Sequence, residues 1–199
     1  LAGDANTTGA TNVAVGTSAM GANTTGGNNV AVGVNSLDAN TTGDENTALG
    51  DGALSANTTA DKNVAVGART MLINTTGTSN VAVGYEALEV NTTASNNTAV
   101  GYQALTANTT GTRNTAVGTS AGAAVTTGGN NTVMGYNALA TNTVGDRNVA
   151  IGEGALQTHN PSSNADTYNV AVGYDAGNAV TTGVQNTLIG GLAGDALTE

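Results

Sequence analysis

The sequence predicts an all-β fold, a parallel β-solenoid built from coils of 17 residues. Three observations predict it: a glycine recurs at a fixed interval, a short aliphatic run precedes each of these glycines, and large side chains are scarce. A fixed internal period is the sequence signature of stacked, solenoid-like architectures. Every step is 17 residues except that from Gly152 to Gly173, which is 21. The recurring glycines are Gly16, Gly33, Gly50, Gly67, Gly84, Gly101, Gly118, Gly135, Gly152, Gly173 and Gly190.

Counted from this glycine as position 1, the repeat reads G-x-x-A-L-x-x-N-T-T-G-x-x-N-(V/T)-A-V. Positions 15 to 17 are short and rich in β-branched residues, and Asn and Gly bound them, which is typical of a strand. Coils stacked about 4.8 Å apart would give eleven copies a length of about 50 Å. Within each strand, Ala at position 16 is expected to face one side and positions 15 and 17 the other.

Stacked columns of identical residues are expected to hold the coils in register. An asparagine column at position 14 can form a side-chain amide ladder in which each Asn bonds the next. Position 1 is expected to be glycine either because φ is positive there or because no side chain fits. The N-T-T-G segment is expected to be a turn, and Ala60 and Ala94 replace its glycine. The position-14 asparagines are Asn12, Asn29, Asn46, Asn63, Asn80, Asn97, Asn114, Asn131, Asn148, Asn169 and Asn186.

Positions 5 and 8 vary together. Position 5 is Leu or Met in most coils and glycine in four. In three of those four, position 8 changes from Asn to an aliphatic residue; Gly3 with Asn6, at the start of the chain, is the exception. The three changed pairs are Gly122 with Val125, Gly177 with Val180, and Gly194 with Leu197. An apolar group lost at one position returns three residues later. Because a core resists voids, both positions are expected to border the same buried volume.

Charge and composition argue against several classes of function. The net charge is −10, and only Lys62, Arg69, Arg113 and Arg147 are basic. Nucleic-acid binding would need a basic stripe, and an anionic membrane surface would repel this chain. The sequence contains no run of about 18 apolar residues, which a membrane-spanning helix would need. The absence of cysteine excludes disulfides and thiolate chemistry.

The sequence predicts no enzyme, metal site or cofactor. Residues 118–122 fit the G-x-S-x-G motif of hydrolases, but they are positions 1 to 5 of the repeat, and the strand–helix alternation of that fold is missing. His159 is the single histidine, and a metal site needs several ligands, so we interpret it as a solvated loop residue. The Asn-Thr-Thr sequon recurs from Asn6 to Asn108, which we interpret as the copied turn.

Candidate contact residues lie at two places. One is a four-residue insertion near 157–168, which holds the single proline; loops that bulge from rigid scaffolds often carry function, although insertions there are also simply tolerated. The other is position 2, where several tyrosines are expected to form an exposed aromatic strip for ligand contact or interchain packing. The candidates for ligand or partner contact are His159, Asn160, Tyr168, Tyr85 and Tyr102.

Two segments carry a family resemblance. NVAVGYEALEVNTTASNNTAVGYQAL and NTAVGYQALTANTTGTRNTAVG resemble repeats of phage and phage-like tail-fibre proteins. More loosely, they resemble the YadA-like head repeats of trimeric autotransporter adhesins, whose period is shorter. The resemblance extends over essentially the whole chain. It implies a trimeric, left-handed parallel β-roll, and it says nothing specific about the ligand.

Three functions remain open at this point. The first is a structural module of a trimeric tail fibre, either its shaft or its receptor-binding segment. The second is the head of a bacterial surface adhesin, and the third is a subunit of a self-assembling filament. All three imply a homo-oligomer, an extracellular or virion location and a non-enzymatic role. The first two also make a cell-surface receptor or glycan a possible partner. Residues 1–199 are expected to form one repeat domain of a longer chain or of an end-to-end assembly, because neither end has an atypical cap.

Overall fold

The computed structural model describes residues 1–163 and 165–198 as a β-solenoid with one short strand in each coil. Eleven strands form a single parallel sheet in chain order, and β9 and β11 form a separate two-stranded pair. The predicted fold class is thereby confirmed. The strands are β1 (Val13–Val15), β2 (Val30–Val32), β3 (Thr47–Leu49), β4 (Val64–Val66), β5 (Val81–Val83), β6 (Thr98–Val100), β7 (Thr115–Val117), β8 (Thr132–Met134), β9 (Gly145–Asp146), β10 (Val149–Ile151), β11 (Ala165–Asp166), β12 (Val170–Val172) and β13 (Thr187–Ile189).

The register of the sheet equals the period of the sequence. Val13 pairs with Val30, and equivalent residues pair in every following coil. Across the insertion, Val149 pairs with Val170, so the extra residues leave the main sheet in register. The extra residues lie outside the main sheet, and β9 and β11 pair with each other as a separate sheet.

Alternation along each strand separates a buried face from an outer face. Alanine at position 16 is fully buried in most coils, as at Ala82 and Ala99. Together with Ala at position 4 and Leu or Met at position 5, it forms one continuous thin core. Positions 15 and 17 point outward and are half-buried in most of the middle coils and exposed at both ends of the sheet. Small residues inside explain why the chain manages without Trp or Phe.

Three positions in each coil adopt a left-handed backbone conformation. Positions 3, 5 and 13 have positive φ in 28 non-glycine residues, among them Glu86, Leu88 and Asn96. Such a conformation costs about 1–2 kcal/mol for an L-residue. In the regular middle coils these N–H groups bond to a neighbouring coil: Glu86 donates to the Ala68 carbonyl, Leu88 to that of Ala104, and Asn96 to that of Thr78. These bonds satisfy the turn backbone and offset the cost.

Glycine at position 1 is required for both of the expected reasons. Its φ lies between +125° and +140°. In addition, a Cβ there would lie 2.3–2.7 Å from the carbonyl oxygen of the next position-1 glycine, in each coil that another coil follows. The coils therefore touch through backbone at this corner. At position 11, by contrast, none of the described glycines has positive φ, in line with the alanines at 60 and 94.

Candidate functional site

The position-14 asparagines connect neighbouring coils as expected, but mostly through the backbone. In the central coils, the Oδ1 of Asn97 accepts the backbone N–H of Asn114 at 2.9 Å, and its Nδ2 donates to the Gly111 carbonyl at 2.9 Å. Direct amide-to-amide bonds occur only at some steps, such as Asn80 to Asn63 at 3.2 Å. Each Asn thus bonds the next coil, and most of these bonds are to main-chain groups.

The continuous side-chain ladder lies at position 8, which the sequence predicts to be part of a turn and to border the same buried volume as position 5, but not to form a ladder. From Asn23 to Asn108, each Nδ2 donates to the Oδ1 of the preceding position-8 asparagine at 2.7–3.1 Å. The same Nδ2 also donates to the position-11 carbonyl of its own coil, as Asn91 does to Ala94. The exchange of Asn for Val or Leu at position 8 was the available signal that this side chain points inward.

Burial of this ladder decides the role of the Asn-Thr-Thr sequons. Six of the seven asparagines, from Asn23 to Asn108, are fully buried, and only Asn6 in the first coil is exposed. A glycan on a buried amide would displace the ladder. The sequon is therefore a copied structural turn in the folded chain. In that turn, the position-9 hydroxyl donates to the carbonyl of the next position-9 threonine, as Thr75 does to Thr92.

The coupling of positions 5 and 8 is confirmed. A Cβ at Gly122 would lie 3.0 Å from a Leu105 methyl group and 3.5 Å from a Val125 methyl group. Val125 itself is fully buried. The valine therefore fills the volume that a position-5 leucine would occupy.

The most extensive candidate surface is the outer face of the sheet, which we call the outer strip: positions 15 and 17 of the eleven strands of the main sheet. Every residue in it is Val, Thr, Leu, Ile or Met, and none is charged. Exposure reaches 56% at Val15 and 69% at Ile189. Seventeen of its 22 residues are aliphatic or Met and five are Thr, so the outer strip is a largely apolar surface and a candidate for contact with a partner.

Beside the outer strip lies the position-2 column, where Tyr85 and Tyr102 stack with ring centroids 5.7 Å apart and planes 10° from parallel. Both rings are about half exposed, as predicted. Arg69 pairs with Glu86 at 3.3 Å and with Glu89. A hydrogen bond from the Gln103 amide lowers the pKa of Glu86, and Tyr85 and Arg69 act in the same direction. This part of the column is thus a polar-edged aromatic surface.

The insertion brings Tyr168, Arg147 and Asp166 together. The Arg147 guanidinium pairs with the Asp166 carboxylate and lies 5.5 Å from the centroid of the Tyr168 ring. The Tyr168 hydroxyl donates to the same carboxylate at 3.1 Å. Asn160 anchors the start of the insertion, because its Oδ1 accepts bonds from the backbone N–H and the hydroxyl of Thr143 at 3.1 and 2.8 Å.

The expectation that His159 is a solvated loop residue is wrong. Its side chain is fully buried, because His159 is position 8 of its coil, seven residues after Gly152, and stands where other coils have Asn. Its Nε2 lies 3.4 Å from the Nδ2 of Asn169. Burial lowers the pKa of His159, and a backbone contact with Thr181 works against this shift. His159 is therefore no surface contact in this conformation, unlike the other candidates.

The described part of the chain has no pocket. Over residues 1–163 and 165–198, His, Asp and Glu side chains nowhere gather in a group of three or more that could hold a metal ion. The same residues include no helix of the length and apolarity needed to cross a membrane. The outer strip, the position-2 column and the insertion therefore remain the candidates for function.

Comparison with known proteins adds no family. The chain matches no protein-family model, no curated protein and no solved structure at a significant level. Function must therefore be inferred from the outer strip, the position-2 column and the insertion.

Proposed function

We propose that this chain is a structural rod module that works as a homotrimer in an extracellular or virion-borne fibre, as a shaft or receptor-binding segment of the tail-fibre type. The observation that carries the proposal is the outer strip. It runs unbroken along all eleven strands of the main sheet without a single charged residue. The chain has a net charge of −10, and none of its charged residues lies in the outer strip. Depletion of charge is typical of the core of a protein–protein interface.

Repetition favours another copy of the same chain as the occupant of the outer strip. Its side chains repeat once per coil, at about 4.8 Å. A partner must offer grooves with the same spacing along about 50 Å, and a second copy running parallel does so in every coil. The trimeric state comes from the resemblance to tail-fibre repeats. The position-2 column, with the Tyr85–Tyr102 stack, lies at the edge of the strip and remains available for a receptor or glycan.

The native mass tests this proposal. Light scattering is expected to give three times the chain mass of 19.2 kDa, and negative-stain images are expected to show short rods of uniform length. Long filaments would instead favour a self-assembling scaffold over a discrete trimer. A particle that stays monomeric at high concentration would contradict the proposal, because the outer strip would then have no partner of its own kind.

A charge placed in the outer strip should separate the copies. Val81 is 36% exposed and lies on β5, so Val81→Glu keeps its carboxylate in water in a single chain but buries it in a trimer. We expect the concentration at half-dissociation, measured by sedimentation, to rise by about 100-fold or more. Val81→Thr is the matched control, because Thr occupies position 15 in five coils. Thr93→Glu places the same charge away from the strip. Equal effects of both Glu variants would point to net charge rather than to the strip.

A further inference from the structure

Carboxylates lie beside tyrosines at several places in this chain, and at two of these places a basic residue of the same chain supplies the opposite charge. The Arg147 guanidinium pairs with a carboxylate of the insertion and lies 5.5 Å from the centroid of the Tyr168 ring. Beside Tyr85, Arg69 pairs with Glu86 at 3.3 Å. A cation within about 6 Å of a ring centroid is attracted to the aromatic face. The chain thus contains two groups of tyrosine, carboxylate and cation.

A third group, formed by Tyr174, Asp175 and Glu153, has the carboxylates but no cation. A hydrogen bond to Asp175, the charge of that carboxylate and the charge of Glu153 raise the pKa of Tyr174, so both carboxylates lie near its hydroxyl. In the described part of the chain, neither carboxylate has a salt-bridge partner. Position 3, which holds Arg69 beside Tyr85, is Gly154 here, and a Cβ there would collide with the Asp175 carboxylate. None of the described basic residues therefore neutralises this group.

The spacing of the coils leaves room for a cation above Glu153. Tyr136, Glu153 and Tyr174 occupy position 2 of three successive coils, and both tyrosines are exposed. Backbone bonds hold these coils together at this corner: the Gly154 N–H donates to the Tyr136 carbonyl at 3.0 Å, and the Asp175 N–H to that of Glu153 at 2.8 Å. Two coil spacings place the tyrosines about 10 Å apart. A cation midway between parallel rings is then about 5 Å from each, within the range of attraction.

The other tyrosines of the position-2 column show why this gap differs. Tyr85 and Tyr102 lie in adjacent coils, and their rings stack 5.7 Å apart and 10° from parallel, which leaves no space for a cation between them. Tyr102 and Tyr136 are two coils apart, but the residue between them is Thr119, which carries no charge. Of the two wide gaps in this column, the one above Glu153 is the one that combines two aromatic faces with a negative charge.

We propose that Tyr136, Glu153 and Tyr174 form a surface site for a quaternary ammonium group of the choline type, carried by a molecule other than this chain. A second copy is a poor source of the cation, because the chain has a net charge of −10 and four basic residues. The proposal does not depend on the proposed fibre function, since the site lies within three successive coils of one chain.

The hydrogen-bond acceptors of the site favour a cation without N–H groups. A primary ammonium has three donors that need acceptors. The Asp175 carboxylate already accepts bonds from the Asn178 amide at 3.0 Å and from the Tyr174 hydroxyl, so Glu153 is the carboxylate that remains open. A quaternary ammonium needs no acceptor and gains from both ring faces. Because the described chain has no pocket, the bound group stays in contact with water, and we expect a dissociation constant of about 10 mM.

The small number of tyrosines, five in all, makes the test direct. Their ring signals are followed by NMR in the intact protein during titration with tetramethylammonium chloride, at an ionic strength kept constant with sodium chloride. We expect the signals of Tyr136 and Tyr174 to shift and saturate, and those of Tyr85 and Tyr168, beside basic residues of their own chain, to shift at least about fivefold less. Equal shifts in all rings, or equally tight binding of n-butylammonium, would overturn the proposal.

Variants of the position-2 column test the site from both directions. Glu153→Arg places a guanidinium in the gap and should abolish saturation, whereas Asp51→Arg makes the same change of charge away from any tyrosine and should preserve it. Thr119→Glu places an acid between Tyr102 and Tyr136 and should make Tyr102 respond. A Glu153→Arg chain that still binds, or an unresponsive Tyr102 in Thr119→Glu, would contradict the site.

Two further choices keep the outcome clear. Position 2 is exposed and varies from coil to coil, so these variants are expected to fold; where one does not, the comparison of the five rings in the unaltered chain decides. Flotation with phosphatidylcholine vesicles, set against titration with phosphocholine, distinguishes a membrane head group from a soluble source of the same cation. Binding of neither would overturn the proposal, while the native mass from light scattering would still test the fibre function separately.

Discussion

Replacement of Gly101 by alanine is expected to destabilise the solenoid by about 3–5 kcal/mol, from the strain of its backbone and from overpacking. Its φ is +136°, which side-chain-bearing residues rarely adopt. The new Cβ would also lie 2.5 Å from the carbonyl oxygen and 2.7 Å from the carbonyl carbon of Gly118. Because both atoms belong to the backbone of the next coil, relief requires the coils to separate. The midpoint of urea unfolding, followed by circular dichroism, measures the loss.

A variant at a second glycine distinguishes the strain of positive φ from crowding between the coils. A Cβ at Gly77, at position 11, would also meet a carbonyl oxygen, that of Ala94, at 2.2 Å. Its φ is not positive, however, and Ala60 and Ala94 fill the same position in the natural chain. Gly77→Ala is therefore expected to cost about 1 kcal/mol or less, since the coils already accommodate an alanine Cβ at this position in two places. If both variants lose the same stability, crowding between coils rather than positive φ explains the glycine column.

The period, the strands and their two faces were predictable because they depend on repetition and on alternation within three residues. Once the period is known, stacking in register fixes which residues of neighbouring coils pair with each other. Ala between two β-branched residues then indicates which face of the strand is buried. The coupled exchange of Leu and Asn for Gly and Val even indicated contacts between side chains inside one coil. These signals are local, and they recur in coil after coil.

The left-handed residues were not predictable from local propensity. Leu88, Glu86 and Arg113 have positive φ, although none of these residue types favours it. Closure of the coil and hydrogen bonds to both neighbouring coils impose that conformation. The intrinsic preference of a single residue depends on neither of them, so it cannot predict the positive φ. A weak signal existed in Gly52 and Gly122, which replace larger residues at positions 3 and 5 and also have positive φ.

His159 was misplaced for a different reason. An insertion placed near 157–168 includes His159, whereas counting onward from Gly152 assigns His159 to position 8 and begins the insertion after it. An insertion of four residues has no unique position in a sequence without side-chain contacts to fix it. The buried ladder supplies those contacts, because position 8 must fill the interior before the chain can leave the coil.

Coupling between positions 5 and 8 predicts that two damaging substitutions compensate each other. Leu88→Gly alone removes a fully buried side chain, and we expect a loss of about 3–5 kcal/mol. Asn91→Val alone breaks the hydrogen bond to Asn74 at 2.7 Å and adds volume to a filled interior. We expect it to lower the free energy of unfolding by about 2 kcal/mol. In the double variant, valine fills the space that the leucine leaves, as Val125 does beside Gly122. We therefore expect the double variant to be more stable than the sum of the single effects by about 2 kcal/mol.

A double-mutant cycle measured by urea unfolding tests this compensation. The matched control combines Leu88→Gly with Asn74→Val, which breaks the same ladder in the preceding coil, where Met71 still fills position 5. Added valine volume there has no vacated leucine site in its own coil, so we expect little or no recovery. Additive losses in the Leu88→Gly, Asn91→Val pair would mean that positions 5 and 8 do not share one volume. Recovery confined to that pair would show that each coil is packed as a unit, and that the ladder is dispensable wherever an apolar side chain completes the core.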